Sequence, residues 1–202
     1  MFCKMKFYFI FFFLIISKCF GQDFSEINKI LELSDSIENQ KEIRIYKDYS
    51  IGNRIVVFRM FNDKTNEWIV QKFFYQKDLK SVTKIDQSSF PKKNIGKLKP
   101  VNADLIWLKI LITNVEFLPS INSIKYKLGK AEIVSDMGEL GISTHKKHIL
   151  DGIGYKVYVR NGKSKNNFSF DNPEAYLKEY PTVDELISYN ELLSVLEKEF
   201  SF

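Results

Sequence analysis

The sequence predicts an α+β domain: an antiparallel β-meander sheet packed against N-terminal, central and C-terminal helices. Three observations predict it. Stretches rich in β-branched and aromatic residues, separated by Gly-, Asn- and Asp-containing turns, follow one another over 42–76 and again over 142–170. A compact apolar block, Leu105 to Ile112, lies between them. The chain then closes on a segment whose apolar residues recur at helical spacing behind an N-terminal capping signal.

Taken in order, Asp23 followed by Glu26 offers a helix start of capping-box kind, and Ile27, Ile30, Leu31 and Ile37 continue it over 24–37. In Glu42 to Tyr49, Ile43, Ile45 and Tyr49 alternate with charged residues. Arg54 to Phe61 is apolar at nearly every position, as expected of a strand covered on both faces. Glu67 to Gln76 is aromatic and β-branched, and Leu79 to Asp86 can extend the meander. The links Ser50–Asn53 and Asn62–Asn66 have turn chemistry.

Asn102 can cap a helix that opens on Ala103 and Asp104, an acid that suits the positive end of the helix dipole. The block 105–112 then reads as a buried helix or as a buried strand, because periodicity does not separate the two. Pro119 to Leu128, ended by Gly129, reads as a further helix. Strands follow over Ile142–Leu150, Tyr155–Arg160 and Asn167–Phe170, with Asn161-Gly162 as a hairpin turn of type I′. Pro173 opens a short helix through Tyr180. Thr182 and Glu185 form a capping box for a final helix with Leu186, Leu193, Leu196 and Phe200 on one face.

An internal echo runs through this plan. Ile51-Gly52-Asn53-Arg54-Ile55-Val56-Val57 resembles Ile153-Gly154-Tyr155-Lys156-Val157-Tyr158-Val159. A degenerate duplication of a sheet-plus-helix unit would explain it. A Gly turn ahead of any strand looks the same, so both readings stand open.

Residues 1–21 read as a secretory signal peptide. Lys4 and Lys6 precede an unbroken apolar run from Phe7 to Ile16, and Cys19 and Gly21 stand at −3 and −1 to Gln22. The run is short of the roughly 20 apolar residues a membrane span needs. Residues 22–202 are therefore expected to form one exported domain, periplasmic or secreted, with no transmembrane span once the leader is removed. Lipid attachment at Cys19 fits poorly, because Lys18 occupies the position where a lipobox wants a small residue.

Cleavage changes the composition. Cys3 and Cys19 are the two cysteines, so the exported domain has no thiol and no disulfide. About 180 residues suffice for a core without them, since a chain of about 150 already buries some 68–70% of its unfolded surface. Lys4, Lys6 and Lys18 leave with the leader, so 27 basic residues face 25 acidic ones, a net charge of +2. A nucleic-acid binder keeps a strong basic excess, and nucleic acid is not an expected partner. The remaining positive charge gathers at Lys92, Lys93, Lys97 and Lys99, a stretch without acids that reads as a solvated loop or as a contact for an acidic partner.

Signatures for catalysis are missing. The sequence holds no G-x-S-x-G, H-E-x-x-H or P-loop, and neither a cofactor nor a metal is implied. His145 and His148 are three apart in a predicted strand, which sends them to opposite faces. Asn167 opens a glycosylation sequon inside a predicted hairpin.

The aromatic residues give a further lead. Trp68 and Phe74 lie on one strand and Tyr158 on another, and an exposed ring there would suit peptide, protein or carbohydrate. The reading is a non-catalytic exported binding protein, with Trp68, Phe74, Tyr158 and the four lysines as candidate contacts. Its expected partner is a protein or an envelope or extracellular polysaccharide. The alternative is a small extracytoplasmic hydrolase using Asp136, Glu139, His145, His148 and Asp151, which requires those side chains to meet in the fold.

Overall fold

The structure, a computed structural model, describes residues 24–90, 102–145, 149 and 152–202. The leader with Cys3 and Cys19, the basic stretch with Lys92, Lys93, Lys97 and Lys99, and His148 and Asp151 lie outside the described residues.

The fold is α+β, and its strands pair antiparallel throughout. Chain order is α1 (Ser25–Ile30), β1 (Lys41–Tyr49), β2 (Arg54–Asn62), β3 (Trp68–Gln76) and β4 (Ser81–Phe90). Next come α2 (Ala103–Leu111), α3 (Ile121–Ile124) with a 3-10 turn Lys125–Lys127, β5 (Lys130–Asp136) and β6 (Glu139–His145). The chain ends with β7 (Ile153–Asn161), β8 (Ser164–Asp171), α4 (Pro173–Glu179) and α5 (Asp184–Phe200). Six strands form one sheet in the order β4-β3-β2-β1-β7-β8, and β5 and β6 form a separate two-stranded sheet.

The meander β1–β4 runs as read from the sequence, and β7 then returns to pair with the free side of β1. The two halves of the echo begin β2 and β7, the strands on either side of β1. Ile55 and Gly154 both stand opposite Asp48, which is three residues out of step with the alignment of the echo.

Alternation sends Ile43, Ile45, Val56, Phe58, Met60, Val70, Val157 and Phe168 to one face, where they share a core with Ile106, Trp107 and Ile110 of α2 and Leu186, Tyr189, Leu192 and Leu196 of α5. A buried lysine belongs to this face. Lys72 donates its Nζ to the carbonyls of Phe200 at 3.2 Å and Ser201 at 2.8 Å, satisfying the open C-terminal end of α5. Burial still holds its pKa below the ordinary lysine value, against the pull of Asp86.

The opposite face carries Tyr46, Ile55, Val57, Phe73 and Tyr75, which pack under Ile27 and Leu31 of the N-terminal segment. The helix there is shorter than the periodicity predicts: it stops at Ile30, and residues 31–40 cross the sheet as irregular chain. Beneath that chain the charges that alternate along β1 are buried, with Glu42 0% and Arg44 2% exposed.

The central apolar block is a helix, which settles the helix-or-strand ambiguity. Asn102 caps it, its Oδ1 accepting from the Leu105 N–H at 3.1 Å. Burial is one-sided, however: Ala103, Ile106, Trp107 and Ile110 face the sheet, while Leu105, Leu108 and Ile112 are exposed. The final helix differs at its start. Val183 is its N-cap and no side chain caps it, so the box of Thr182 and Glu185 does not form; Glu185 pairs with Lys127 at 2.6 Å instead. Asn102→Ala is therefore expected to cost about 1 kcal/mol in denaturant unfolding, and Thr182→Ala to stay within about 0.5 kcal/mol of the parent.

Two hairpin turns depart from expectation. In β7–β8, Asn161 pairs with Ser164, so the loop is Gly162-Lys163, with positive φ at Gly162 (61°) and not at Lys163. That is the type II′ pattern, with glycine at its first central position. The type I′ pattern appears instead at Met137 (φ 47°) and Gly138 (φ 87°), between β5 and β6.

Candidate functional site

The β5–β6 hairpin is the surface that stands out. All seven residues of β5 are exposed. Register places Ile133 opposite Ile142 and Ser135 opposite Leu140, so these side chains share one face. Ile133, Leu140 and Ile142 on that face are 79%, 80% and 81% exposed, and Met137 at the tip is fully exposed. The other face carries Lys130, Glu132, Val134 and Asp136 on β5, and Glu139 on β6 opposite Asp136. The hairpin is thus amphipathic, apolar on one side and mostly charged on the other.

Why it forms there is local. Ala131 and Ile133 before the Met137-Gly138 turn, and Leu140 and Ile142 after it, recur at every second position, with Glu132, Gly141 and Ser143 among the residues between and beside them. The sequence reading places a strand only from Ile142 and treats Asp136 and Glu139 as scattered acids. The signal for β5 was available as alternation on both sides of a Gly-containing turn. Exposed apolar side chains elsewhere, such as Phe117 and Tyr126, lie outside this face and are the ordinary share of a protein surface.

The aromatic candidates are placed apart. Trp68 is 4% exposed; its Nε1 donates to Asp104 Oδ1 at 2.9 Å and its ring lies 5.4 Å from that of Trp107, so it ties β3 to α2. Phe74 is half-buried on the same face, with the ammonium groups of Lys84 and Lys72 at 5.0 and 5.7 Å from its ring centre. Tyr158 is half-buried on the opposite face, against Tyr46 at 5.9 Å. The three rings form no common strip.

Of the acids and histidines of the alternative reading, Asp136, Glu139 and His145 fall on the described hairpin, and their backbone positions are spread along it. Asp136 and Glu139 pair at the hairpin's tip and His145 stands at its base. Glu139 and His145 are the two ends of β6, six residue steps apart, a backbone span of about 20 Å at roughly 3.3 Å per residue. Among the described residues, no three His, Cys, Asp or Glu gather to hold a metal ion.

At one end of the six-stranded sheet, Tyr49, Ile51, Gly52, Asn53, Arg54, Gln76, Gly152 and Ile153 line a broad open depression of about 700 Å³. Reciprocal hydrogen bonds between Ser50 and Gly152 tie the β1–β2 turn to the residue that precedes β7. Arg54 lies over the Tyr49 ring at 5.2 Å and is the one charged side chain of that lining. No described helix is long and apolar enough to cross a membrane. No family model, curated protein or solved structure matches this chain.

Proposed function

We propose that this chain is an exported, non-catalytic binding protein, periplasmic or secreted, which presents the β5–β6 hairpin to another protein. The observation that carries this reading is the hairpin's apolar face, with Ile133, Leu140 and Ile142 each about four-fifths exposed. Apolar side chains gathered on one face of an exposed hairpin favour removal from water by a partner, each worth about 1.5–3 kcal/mol when fully buried.

The charges around that face narrow the partner. Glu132, Asp136 and Glu139 outnumber Lys130 on the hairpin. An acidic surround disfavours anionic lipid, acidic polysaccharide and nucleic acid, and favours a protein groove with an apolar floor and a basic rim. The signal-peptide order of residues 1–21 supports the location.

The test compares the chain from Gln22 onward with its Ile133→Ser/Ile142→Ser variant in pull-downs from envelope and medium fractions. Saturable capture of the same species should weaken more than tenfold in the variant, while Tm stays within about 2 °C because both sites are exposed. Equal capture by both proteins would refute the hairpin as contact surface. Mass spectrometry of the protein recovered from its native host should show an N-terminus at Gln22. An intact Met1 or a lipid on Cys19 would overturn the soluble, exported form.

A further inference from the structure

We propose that the outer edge of β5 pairs with β5 of a second copy of this chain, antiparallel and centred on Ile133, to make a four-stranded sheet across a two-fold axis. The proposal concerns the hairpin's edge and stands whatever its apolar face binds.

Among the described residues β5 pairs with β6 alone, so its outer row of backbone N–H and C=O groups has no strand partner among them. A lone two-stranded hairpin is marginal in water, and three or more strands with an apolar face are needed for independent stability. Pairing along the edge supplies those strands and satisfies the open backbone row.

Among the registers that pair five or more residues of β5, the charges select one. Directly opposed residues of an antiparallel pair share a face, so registers that keep the two apolar faces together pair residues of like parity. Centring on Ile133 sets Ile133 against itself, Ala131 against Ser135, Glu132 against Val134, and Lys130 against Asp136. The Lys130–Asp136 pairing occurs twice, once on each side of the axis. Centring on Glu132 would set that carboxylate against its own copy, and centring on Val134 would set Glu132 against Asp136. Like charges directly opposed destabilise a strand pair, and opposite charges stabilise it.

Such an interface is isologous, as expected of a two-fold dimer. The antiparallel arrangement leaves the two protein bodies at opposite ends of the new sheet. It also joins Ile142 and Ile133 of one copy to Ile133 and Ile142 of the other in one continuous apolar row.

The experiment is sedimentation over a concentration series of the chain from Gln22 onward, the parent against Lys130→Asp, Asp136→Lys and the double exchange. The parent should show a reversible monomer–dimer equilibrium. Each single change opposes like charges at both pairings and should weaken it about tenfold, whereas the double exchange should restore it. Ile133→Cys gives a second reading. Opposed Cα atoms of an antiparallel pair lie about 4.5–5.5 Å apart, within the ~4.4–6.8 Å a disulfide spans. Both native cysteines precede Gln22, so the introduced thiol is the only one and should close a covalent dimer under mild oxidant. Leu140→Cys, equally exposed but on β6, should give no covalent dimer under the same oxidant.

A chain that stays monomeric to about 1 mM, or a double exchange that fails to recover the singles, would overturn the edge pairing. So would a dimer that ignores the charge changes but dissociates on Ile142→Ser, which would place the contact face to face.

Discussion

Replacing Glu42 by glutamine is expected to lower the stability of the fold by about 3–5 kcal/mol at neutral pH, the cost of removing one partner from a buried ion pair. The carboxylate is fully buried between two arginines. Arg59 reaches Oε1 at 2.7 Å and Oε2 at 3.3 Å, Arg44 reaches Oε1 at 3.1 Å, and Asn39 Nδ2 reaches Oε2 at 2.6 Å. The set extends through Arg44 to the Ser34 carbonyl and the Tyr46 hydroxyl, and Tyr46 donates to Asn28. Glutamine fills the same space but leaves Arg44, itself 2% exposed, facing no charge. A fall of about 10 °C in Tm should accompany the change, at roughly 2–4 °C per kcal/mol for a chain of this size.

The effect depends on pH with a definite sign. Burial by itself would raise the pKa of Glu42, but the hydrogen bond and charge of Arg59, the bond from Asn39 and the charge of Arg44 outweigh it. The net shift is below the ordinary value of 4.5. A depressed carboxylate contributes stability that is present above its unfolded pKa and is lost as pH falls through the folded one. The gap between parent and Glu42→Gln should therefore be widest above about pH 5 and close as pH falls well below 4. Denaturant titrations at pH 7 and pH 3 check this, and a gap independent of pH would show that Glu42 acts by shape alone. Replacing Glu42, Arg44 and Arg59 together by apolar residues of similar volume should recover most of the loss, because no charge is then stranded.

That cluster also shows where sequence reasoning reaches its end. Charged residues alternating with Ile43 and Ile45 read as a solvated face, and strand alternation alone gives no other answer. The N-terminal segment covers that face, and this follows from a contact between Asn28 or Ser34 and β1 that no local pattern encodes. Local patterns were enough elsewhere. The ends of β1, β2 and β3 fall within about a residue of their sequence signals, because β-branched runs and Gly/Asn turns set strands directly.

The block 105–112 marks the middle ground. Composition suggested burial all round, yet one helix can lay only one stripe on a sheet, and Leu105, Leu108 and Ile112 are left outside. The candidate surface was half legible. Ile142 stood in a predicted strand, but Ile133 acquires meaning only when β5 pairs with β6, and its exposure only when all seven residues of β5 are found exposed.

Replacing Phe170 by alanine is the second large expected effect, about 3–5 kcal/mol of lost stability. The ring lies parallel to that of Tyr189, centres 4.5 Å apart and planes 2° apart, with Tyr155 at 5.0 Å and Phe168 at 5.8 Å. These four rings join β7 and β8 to α5, and Phe168 and Phe170 are wholly buried. Tyr189→Phe keeps the stack and removes only the hydroxyl that donates to the Pro119 carbonyl, so about 1 kcal/mol is expected. Burial raises the pKa of both Tyr155 and Tyr189 above the ordinary tyrosine value of 10.0. Their contribution is full below about pH 10 and is lost as pH rises further, because the unfolded chain then ionises first. Tyr189→Phe should consequently flatten part of the alkaline loss of stability, a readout that deletion of a merely packed ring would not give. A cost below 1 kcal/mol for Phe170→Ala would mean that β8 is held by its pairing to β7 and the bonds of Asn166 to the Val115 and Leu118 carbonyls, with the stack contributing little.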